Sequence, residues 1–304
     1  VSYNVRDLTL GCIASVEEAM LHDGLDGGIW VVDNASADGS AAAVQMRFPR
    51  VALIASGRNL GFAGGANLGL QAALAQDPAP PSVLILNPDT ILEPEALGHL
   101  VEHLRAHPHV GMAGAQLCFP DGTFQHGAFH FPTLPMLALD FWPVNWRLTE
   151  SCLNGRYPRR LYEAGRPFAI DHPLGAAMMV RSAAVAEVGA LDTSYFMYCE
   201  EIDWCFRMRR AGWEIDCVPQ AVITHLAGQS TGQFREAMYV ALWRSRYLLF
   251  SRYYPRAYQW AARRIIRAGV VRDMRRTLRE VHTGALVPEA AEPRLNAYRQ
   301  VLEM

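Results

Sequence analysis

The chain contains no lysine. Its 28 basic residues are all arginine, they stand against 30 acidic residues, and the formal net charge is −2. This small value hides an asymmetry, because the stretch 235–280 carries twelve arginines against three acidic residues, a net charge of +9, which leaves −11 for the rest of the chain. An acidic body with a basic C-terminal region indicates that the basic region meets an anionic surface.

The chain also has no apolar run of 18 residues, no signal-peptide pattern and no CxxC pair. A membrane-spanning helix needs such a run, so none is predicted. The spacing of the six cysteines fits neither a zinc site nor a small disulfide scaffold, and a reducing cytoplasm is the expected compartment. With 304 residues, of which 51% are hydrophobic, the chain can build one large domain or a domain plus an appendage.

Apolar periodicity alternates between helix and strand through the first third of the chain. The predicted helices are 5–23, 36–47, 66–75 and 95–106, and the predicted strands are 29–32, 51–55 and 83–86, with a glycine-rich loop at 57–65. This order predicts an α/β fold with a doubly wound, mostly parallel sheet flanked by helices. Residue 1 reads as the end of a strand whose start is absent, so a truncated N-terminal strand is expected.

The pattern changes after residue 115, where Pro, Phe and Trp become frequent. We expect strands and a long loop over 115–170, a strand at 176–180 and helices at 182–188 and 200–211. A strand is expected at 213–218, after which 219–225 leads into a loop. From residue 233 the chain reads as Arg-rich helix. The expected domains are an α/β domain at 1–230 and a helical, basic C-terminal region at 231–304.

Three acids within four positions, Glu200, Glu201 and Asp203, lie between aromatic and apolar residues. Carboxylates crowded this closely repel one another unless a cation, a substrate or a raised pKa offsets the repulsion. An enzyme that needs a general base places such a cluster beside a pocket. The alternative is a plain helix start, where acids favour the positive end of the helix dipole.

Two aspartates follow predicted strands. Ligands of doubly wound sheets bind beyond the carboxyl ends of the strands, and Asp33 and Asp89 both fall at that edge. Asp89 can hold Mg²⁺ or Mn²⁺ against a diphosphate, because these hard cations choose oxygen ligands. Asp33 can accept hydrogen bonds from a nucleotide base or ribose. The alternatives are an ordinary turn at Asp89 and an Asx turn at Asp33.

The segment 58–67 combines close backbone approach with one cation and two amides, a composition that suits a nucleotide or phosphate. It matches no standard phosphate-binding motif, and the alternative is a loop that merely turns the chain. Further along, the neutral imidazole of His225 can join Asp89 on a metal, or it can be structural.

Aromatic residues interleave with the C-terminal arginines, as in a helix at a membrane surface. They are Tyr239, Trp243, Tyr247, Phe250, Tyr253, Tyr254, Tyr258 and Trp260. No nucleic-acid-binding motif accompanies the charge, so nucleic acid is not an expected partner. The alternative is that the arginine stems pack on the domain at 1–230. No oligomeric state is predicted.

Taken in order, these motifs resemble the family-2 inverting glycosyltransferases with a GT-A fold, in the branch of rhamnosyltransferases and related bacterial cell-surface polysaccharide enzymes. The resemblance covers about residues 1–230. The matching segments are Val-Ser-Tyr-Asn at 1–4, Val-Val-Asp-Asn-Ala-Ser at 31–36, the glycine-rich 59–67, Leu-Asn-Pro-Asp at 86–89, Asp-Gly-Thr at 121–123, 175–181, 188–192, Tyr-Cys-Glu-Glu-Ile-Asp at 198–203 and 219–225.

The resemblance implies roles for the donor side of the site. Tyr3, Asn4 and Asp33 are expected at the base and ribose of the donor. The expected metal ligands are Asp89 and His225, with Asn87 standing where many relatives carry an aspartate. The other donor-binding residues expected are Arg58, Asn59, Gly61 and Asn67.

On the acceptor side, the resemblance implies that Glu201 is the catalytic base, with Glu200 left open as the alternative. Asp203 is expected to orient the helix or contact the acceptor. The implied reaction is inverting transfer from a nucleotide sugar, dTDP-rhamnose first and UDP-linked sugars next, to a glycan or lipid-linked glycan. The implied place is the inner face of the cytoplasmic membrane. The competing interpretation is a catalytically degenerate scaffold that binds sugar nucleotides.

Overall fold

The computed structural model describes residues 1–143, 145–226 and 234–304. These residues form two compact units. The first takes in Val1–His130, Tyr157–Phe196 and the chain from Glu200 to the end of the last strand. The second takes in Phe131–Arg156, Met197–Cys199 and the C-terminal helices. The predicted domain boundary between residues 230 and 231 lies outside the described residues.

Helices and strands alternate through the first unit, with elements numbered along the whole chain. Its helices are α1 (Arg6–His22), α2 (Ser40–Arg47), α3 (Gly61–Leu74), α4 (Ala96–Ala106), α7 (Arg159–Glu163), α8 (Ser182–Val188) and α9 (Glu200–Arg210). Its strands are β1 (Trp30–Asp33), β2 (Ala52–Ala55), β3 (Ser82–Leu86), β4 (Thr90–Leu92), β5 (Val110–Cys118), β6 (Phe124–Gln125), β7 (Ala128–Phe129), β8 (Phe168–Ala169), β9 (His172–Pro173), β10 (Ala177–Arg181) and β11 (Glu214–His225).

The main sheet has the strand order β3-β10-β5-β11-β4, with β6 on β5 and β8 on β11. Strand β10 runs antiparallel to both β3 and β5, while β11 runs parallel to β5. Strands β3, β5 and β11 therefore share one direction. A separate parallel pair, β1 with β2, is extended by a parallel bridge between Ser2 and Asp33. The predicted α/β class is confirmed, and the reversed β10 is a feature that the periodicity did not predict.

Strand β11 is longer than predicted. The sequence favours a strand that stops at Val218, because Pro219 lacks the N–H that a ladder needs. In the structure the ladder to β5 shifts register between Val218 and Val222 and then continues to His225. The irregularity takes up the proline, as bulges commonly do. His225 is therefore the last residue of a strand, and the predicted strand end at Val218 was wrong.

The predicted glycine-rich loop at 57–65 was also wrong in its second half, since α3 begins at Gly61. Glycine there serves close approach. A Cβ added at Gly61 would lie 2.1 Å from the carbonyl oxygen of Phe196, and one added at Gly65 would lie 2.7 Å from Cγ1 of Val1. The small side chains of this segment thus let neighbouring backbone lie against the first turns of the helix.

The core of the first unit lies between α4 and the main sheet. Leu97, Leu100 and Leu104 recur at helical spacing on one face of α4 and are buried. They pack with buried residues of β5, β10 and β11, among them Val110 and Ile223. This packing holds β4 and β11, at whose paired ends Asp89 and His225 lie.

The second unit contains helices α5 (Leu134–Phe141), α6 (Trp146–Thr149), α10 (Arg235–Tyr253), α11 (Arg256–His282) and α12 (Pro288–Leu302). Phe141 stacks on Trp243 with ring centroids 5.1 Å apart and lies against Gly269. The Arg-rich helices were predicted correctly, although their predicted start at residue 233 lies outside the described residues. The loop predicted within 115–170 contains α5, α6 and α7. The prediction failed there because a proline in the first turn, after the capping Thr133, is compatible with a helix start.

Candidate active site

The turn after β3 carries Asp89, and three contacts to Asn87 hold it. The backbone N–H of Asn87 donates to the carbonyl of Ala176 at 2.9 Å. Its carbonyl accepts from the hydroxyl of Thr90 at 2.7 Å and from the thiol of Cys12 at 3.6 Å. The backbone of Asn87 is thus fixed by the strand and the turn, and the side chain of Asp89 is carried at the strand end.

Asp89 lies beside His225. Thr90 and His225 are register partners in the β4–β11 ladder, and the N–H of Leu226 donates to the carbonyl of Asp89 at 2.9 Å. Nε2 of His225 is 3.6 Å from Oδ1 of Asp89. Burial lowers the pKa of His225, against the opposing effect of the Asp89 charge. A neutral imidazole follows at neutral pH.

These two side chains fit a divalent cation whose remaining ligands come from outside the protein. Asp89 is 5% exposed, and its Oδ1 has no hydrogen-bond partner among the described residues. A buried carboxylate oxygen without a donor is costly unless a cation completes it. Within the described parts of the chain, no group of three or more His, Cys, Asp or Glu is placed to hold a metal ion. The remaining ligands would come from phosphate oxygens and water, as is usual for Mg²⁺.

The end of β1 forms a second polar corner. Asp33 is 5% exposed; its Oδ2 accepts from the N–H of Ser36 at 3.2 Å, while Oδ1 has no hydrogen-bond partner in the described structure. Asn4 takes a left-handed φ of 53° and bridges to the same turn. Its N–H donates to Ser36 Oγ and its Oδ1 accepts from the N–H of Ala37. Ser2 forms a β-bridge with Asp33, and Tyr3 follows it in the chain, directly before Asn4.

Asn34 organises the start of α3, a role that the sequence analysis missed. Its Nδ2 donates to Asn59 Oδ1 at 3.1 Å and to the carbonyl of Gly61 at 3.0 Å. Its Oδ1 accepts from the N–H of Leu60 at 2.9 Å and from the hydroxyl of Ser56 at 3.2 Å. The signal present in the sequence was an amide residue directly after the strand-end Asp33. Asn34 fixes the segment predicted to bind the donor.

The remaining residues predicted in that segment differ in their surroundings. Arg58 is exposed. Asn67 donates to the carbonyl of Leu191 at 2.7 Å and accepts from its N–H at 3.0 Å. Both polar ends of this amide are thereby used to hold the segment before α9. The N–H of Phe62 donates to the carbonyl of Phe196 at 2.9 Å, so the start of α3 and that segment lie against each other.

The acidic cluster opens α9. Tyr198 and Cys199, directly before it, take left-handed φ values of 70° and 67°. Glu200 is 4% exposed, and its Oε2 lacks a hydrogen-bond partner among the residues that the structure describes. Burial and the charge of Glu201 raise the pKa of Glu200 well above its usual value.

Glu201 is partly exposed, and burial raises its pKa to about 7. A Cβ added at Gly175 would lie 3.8 Å from Cδ of Glu201, so the turn between β9 and β10 lies next to this carboxyl group. A carboxyl group with a pKa near neutral, on a residue that is not fully buried, suits a general base. The more deeply buried Glu200 suits that role less.

Asp203, the third acid, is 1% exposed, and both of its carboxylate oxygens accept hydrogen bonds from other side chains. Its Oδ2 accepts from Nε of Arg207 at 2.8 Å and its Oδ1 from the hydroxyl of Tyr195 at 3.3 Å. Nη1 and Nη2 of Arg207 donate in turn to the carbonyls of Val188 and Ala190. These contacts anchor α9 to the end of α8. The carboxylate of Asp203 contributes to this anchoring through its ion pair with Arg207.

A family model described as glycosyl transferase family 2 matches residues 1–187. The chain belongs to this family. This glycosyltransferase is 30% identical over 235 residues to the N-acetylglucosaminyl-diphospho-decaprenol L-rhamnosyltransferase of Mycobacterium tuberculosis, a match that covers 73% of this chain and 74% of that protein. It is 28% identical over 153 residues to rhamnosyltransferase WbbL of Escherichia coli, covering 50% of this chain and 54% of that protein.

Among solved structures, the glycosyltransferase is similar to that of mannosyltransferase PcManGT from Pyrobaculum calidifontis in complex with GDP-Man and Mn²⁺. The TM-score is 0.56 at 16% identity, covering 99% of this chain and 83% of that one, which shows the fold alone. The predictions of the family, its rhamnosyltransferase-like branch, the GT-A fold and glycosyl transfer from a nucleotide sugar are confirmed. Across the described residues, no helix is both long enough and apolar enough to cross a membrane.

Proposed function

We propose that this glycosyltransferase transfers rhamnose from dTDP-rhamnose to a hydroxyl of an N-acetylglucosamine carried on a polyprenyl diphosphate, with inversion at the anomeric carbon. The observation that carries the transfer chemistry is Glu201, a partly exposed residue in the first turn of α9 whose carboxyl group has its pKa raised to about 7 by burial. The choice of sugar and acceptor is supported by the named activity of the mycobacterial relative. The alignment with that protein covers 73% of this chain.

In the proposed reaction Glu201 accepts the proton of the acceptor hydroxyl as that oxygen attacks the anomeric carbon. A new bond forms between the acceptor oxygen and the anomeric carbon. The bond from that carbon to the diphosphate oxygen breaks, and dTDP leaves with the electron pair. Attack from the face opposite the leaving group inverts the anomeric centre in one displacement, so no covalent enzyme intermediate is required.

On the donor side, Asp89 and His225 would hold Mg²⁺ or Mn²⁺. Such an ion, when bound, neutralises the charge that develops on the leaving diphosphate. The proposal is supported by the buried Oδ1 of Asp89, which has no hydrogen-bond partner among the described residues, and by His225 Nε2 at 3.6 Å from it. The Mn²⁺ bound to PcManGT agrees with it by analogy of fold. Asp33 Oδ1, buried and also without a partner in the described residues, would accept from the nucleoside.

The acceptor lipid would be reached from an anionic membrane surface through α11. Arg263, Arg264 and Arg267 are exposed on this helix, and Trp260 is 65% exposed. The guanidinium of Arg264 lies 5.5 Å from the ring centroid of Trp260. Arginine beside an exposed indole suits the headgroup level, where the ring is amphipathic and phosphates are available. The place proposed is peripheral, at the inner face of the cytoplasmic membrane.

The test is turnover with a panel of donors and a synthetic N-acetylglucosaminyl-diphospho-lipid acceptor, with Mn²⁺, with Mg²⁺ and with EDTA. The proposal expects product from dTDP-rhamnose, an anomeric configuration opposite to that of the donor, and loss of turnover in EDTA. Product only from a UDP-linked sugar would contradict the proposed donor. Retained configuration would contradict direct displacement, and full activity in EDTA would contradict the metal.

A further inference from the structure

Gln125 lies next to the imidazole of His225. It is the second residue of β6, which pairs antiparallel with the end of β5, where Gln125 is the register partner of Leu117. Leu117 in turn faces Ile223 on β11, two residues before His225. Residues two apart on a strand share a face of the sheet. Gln125 and His225 are therefore on one face, and Gln125 Oε1 lies 3.2 Å from Nδ1 of His225.

The Asp-Gly-Thr turn explains why a glutamine reaches this position. Oδ1 of Asp121 accepts from the N–H of Thr123 at 2.9 Å, and Gly122 takes a φ of 78°, which glycine adopts without strain. The N–H of Phe119 donates to the carbonyl of Thr123 at 2.8 Å, which closes the turn. This tight connection brings β6 back along β5 and sets the register that places Gln125 opposite Leu117.

The contact between Gln125 and His225 determines which ring nitrogen of His225 carries the proton. A neutral imidazole carries one N–H, and a carbonyl oxygen can only accept, so a hydrogen bond to Gln125 Oε1 places the proton on Nδ1. Nε2 is then left with a lone pair, and it faces Oδ1 of Asp89 at 3.6 Å. Oδ1 is also an acceptor and has no hydrogen-bond partner among the described residues. Two buried acceptor atoms that face each other are satisfied by a cation between them.

We propose that Gln125 is a positioning residue for the metal site, which holds the imidazole of His225 in the Nδ1–H tautomer with Nε2 directed toward the cation. The inference rests on the proposed function, since it assumes that Asp89 and His225 hold a divalent metal ion. Gln125 contacts neither the ion nor the donor in this role. It acts by fixing the ring, as outer partners of metal-bound histidines commonly do.

The tautomer is measured directly on the metal-free protein. Two-bond ¹H–¹⁵N correlation NMR on ¹⁵N-histidine-labelled protein distinguishes a protonated Nδ1 from a protonated Nε2, and His225→Asn assigns the signals. The inference expects His225 with its proton on Nδ1 in the wild type and a mixture of tautomers in Gln125→Leu. A proton on Nε2 in the wild type would overturn it, because that nitrogen could not then bind a cation.

Metal binding is the second readout, measured by calorimetry with Mn²⁺ in the presence of dTDP. Loss of an outer-shell partner typically weakens metal binding about 10- to 100-fold, and this loss is expected for Gln125→Leu. Gln125→Glu keeps an acceptor oxygen and is expected to retain wild-type affinity or better. Gln116→Leu is the matched control, because Gln116 lies on β5 one residue before Leu117 and so on the other face of the sheet.

The outcomes separate the two proposals. If the wild type binds Mn²⁺ and Gln125→Leu binds it equally well with an unchanged tautomer, the role of Gln125 is wrong while the metal site stands. If the wild type binds no Mn²⁺ with dTDP, the metal site itself is wrong, and the proposed function loses its metal along with the inference. Should Gln125→Leu fail to fold, the wild-type tautomer and the affinity of Gln125→Glu still decide.

Discussion

Nε of Arg207 lies 2.8 Å from Oδ2 of Asp203, one turn away on α9. Asp203 is almost fully buried, and the same guanidinium donates to backbone carbonyls at the end of α8. Breaking a buried pair is far more damaging than breaking an exposed one, because it leaves an uncompensated charge. The helix that carries Glu200 and Glu201 is therefore held by an ion pair whose loss is expected to destabilise the folded protein strongly.

Arg207→Ala is expected to lower the free energy of unfolding by about 3–5 kcal/mol, measured by urea denaturation. The matched control is Arg105→Ala, which removes an exposed pair with Glu102 at 2.6 Å and is expected to change it by about 1 kcal/mol or less. Similar losses in the two variants would show that the buried pair does not anchor α9.

Gly61→Ala is expected to destabilise the protein more than Gly284→Ala. Both glycines have a left-handed φ, 73° and 74°, so alanine at either position meets a backbone penalty of roughly 1–2 kcal/mol. Only at Gly61 does the added Cβ also meet backbone, the carbonyl oxygen of Phe196 at 2.1 Å, while no atom lies within 4 Å at Gly284. The difference in Tm between the two variants, measured by thermal unfolding, reports the effect of the contact with Phe196. Equal shifts in Tm would contradict the predicted effect of this contact.

Glu200→Gln is expected to flatten the dependence of stability on pH. The pKa of Glu200 is raised in the folded protein, so above its ordinary pKa the folded state holds a proton that the unfolded state has released. Stability therefore falls as pH rises from the unfolded value toward the folded one. The variant lacks this loss, and its Tm relative to wild type should be higher at pH 8 than at pH 4. Glu17→Gln, on the exposed face of α1, is the control. A Tm difference that does not change with pH would argue against the shift.

Binding to anionic vesicles is expected to depend on α11. Each arginine near such a surface contributes about 1 kcal/mol, so replacing Arg263, Arg264 and Arg267 by glutamine should weaken partition roughly 100-fold. Co-sedimentation with phosphatidylglycerol vesicles, with phosphatidylcholine vesicles as reference, measures it. The control replaces three exposed arginines of the first unit, Arg47, Arg50 and Arg105. If both triple variants lose binding equally, net charge and not α11 would account for it.

Much of this fold follows from periodicity, because apolar spacing decides which residues form helix or strand. The sequence does not tell where a strand goes in the sheet, and the reversed β10 between β3 and β5 depends on contacts far apart in the chain. Pro219 predicts the end of a strand, whereas the irregular register near Val218 absorbs it. Local rules fail where tertiary pairing compensates for a missing donor.

Some residues of the candidate site could be predicted from the sequence and others could not. Strand-end placement predicted Asp33 and Asp89, and α9 opens with the acidic cluster as expected. Asn34 and Gln125 were missed, because a positioning role depends on which atom a side chain reaches, and that is decided by register and turn geometry. The resemblance left Glu200 open as an alternative to Glu201, and the structure distinguishes the two by exposure, because Glu200 is buried and Glu201 is partly exposed.

The central claim is that Glu201 is the base, and Glu201→Gln tests it most directly. Glutamine keeps the shape but accepts no proton, so kcat for glycosyl transfer should fall about 10²- to 10⁴-fold. Calorimetric affinity for dTDP should stay unchanged, and Glu17→Gln should behave as wild type. In the wild type, kcat/KM should rise with pH through about 7, where the carboxyl group loses its proton. Wild-type turnover by Glu201→Gln would contradict the assignment.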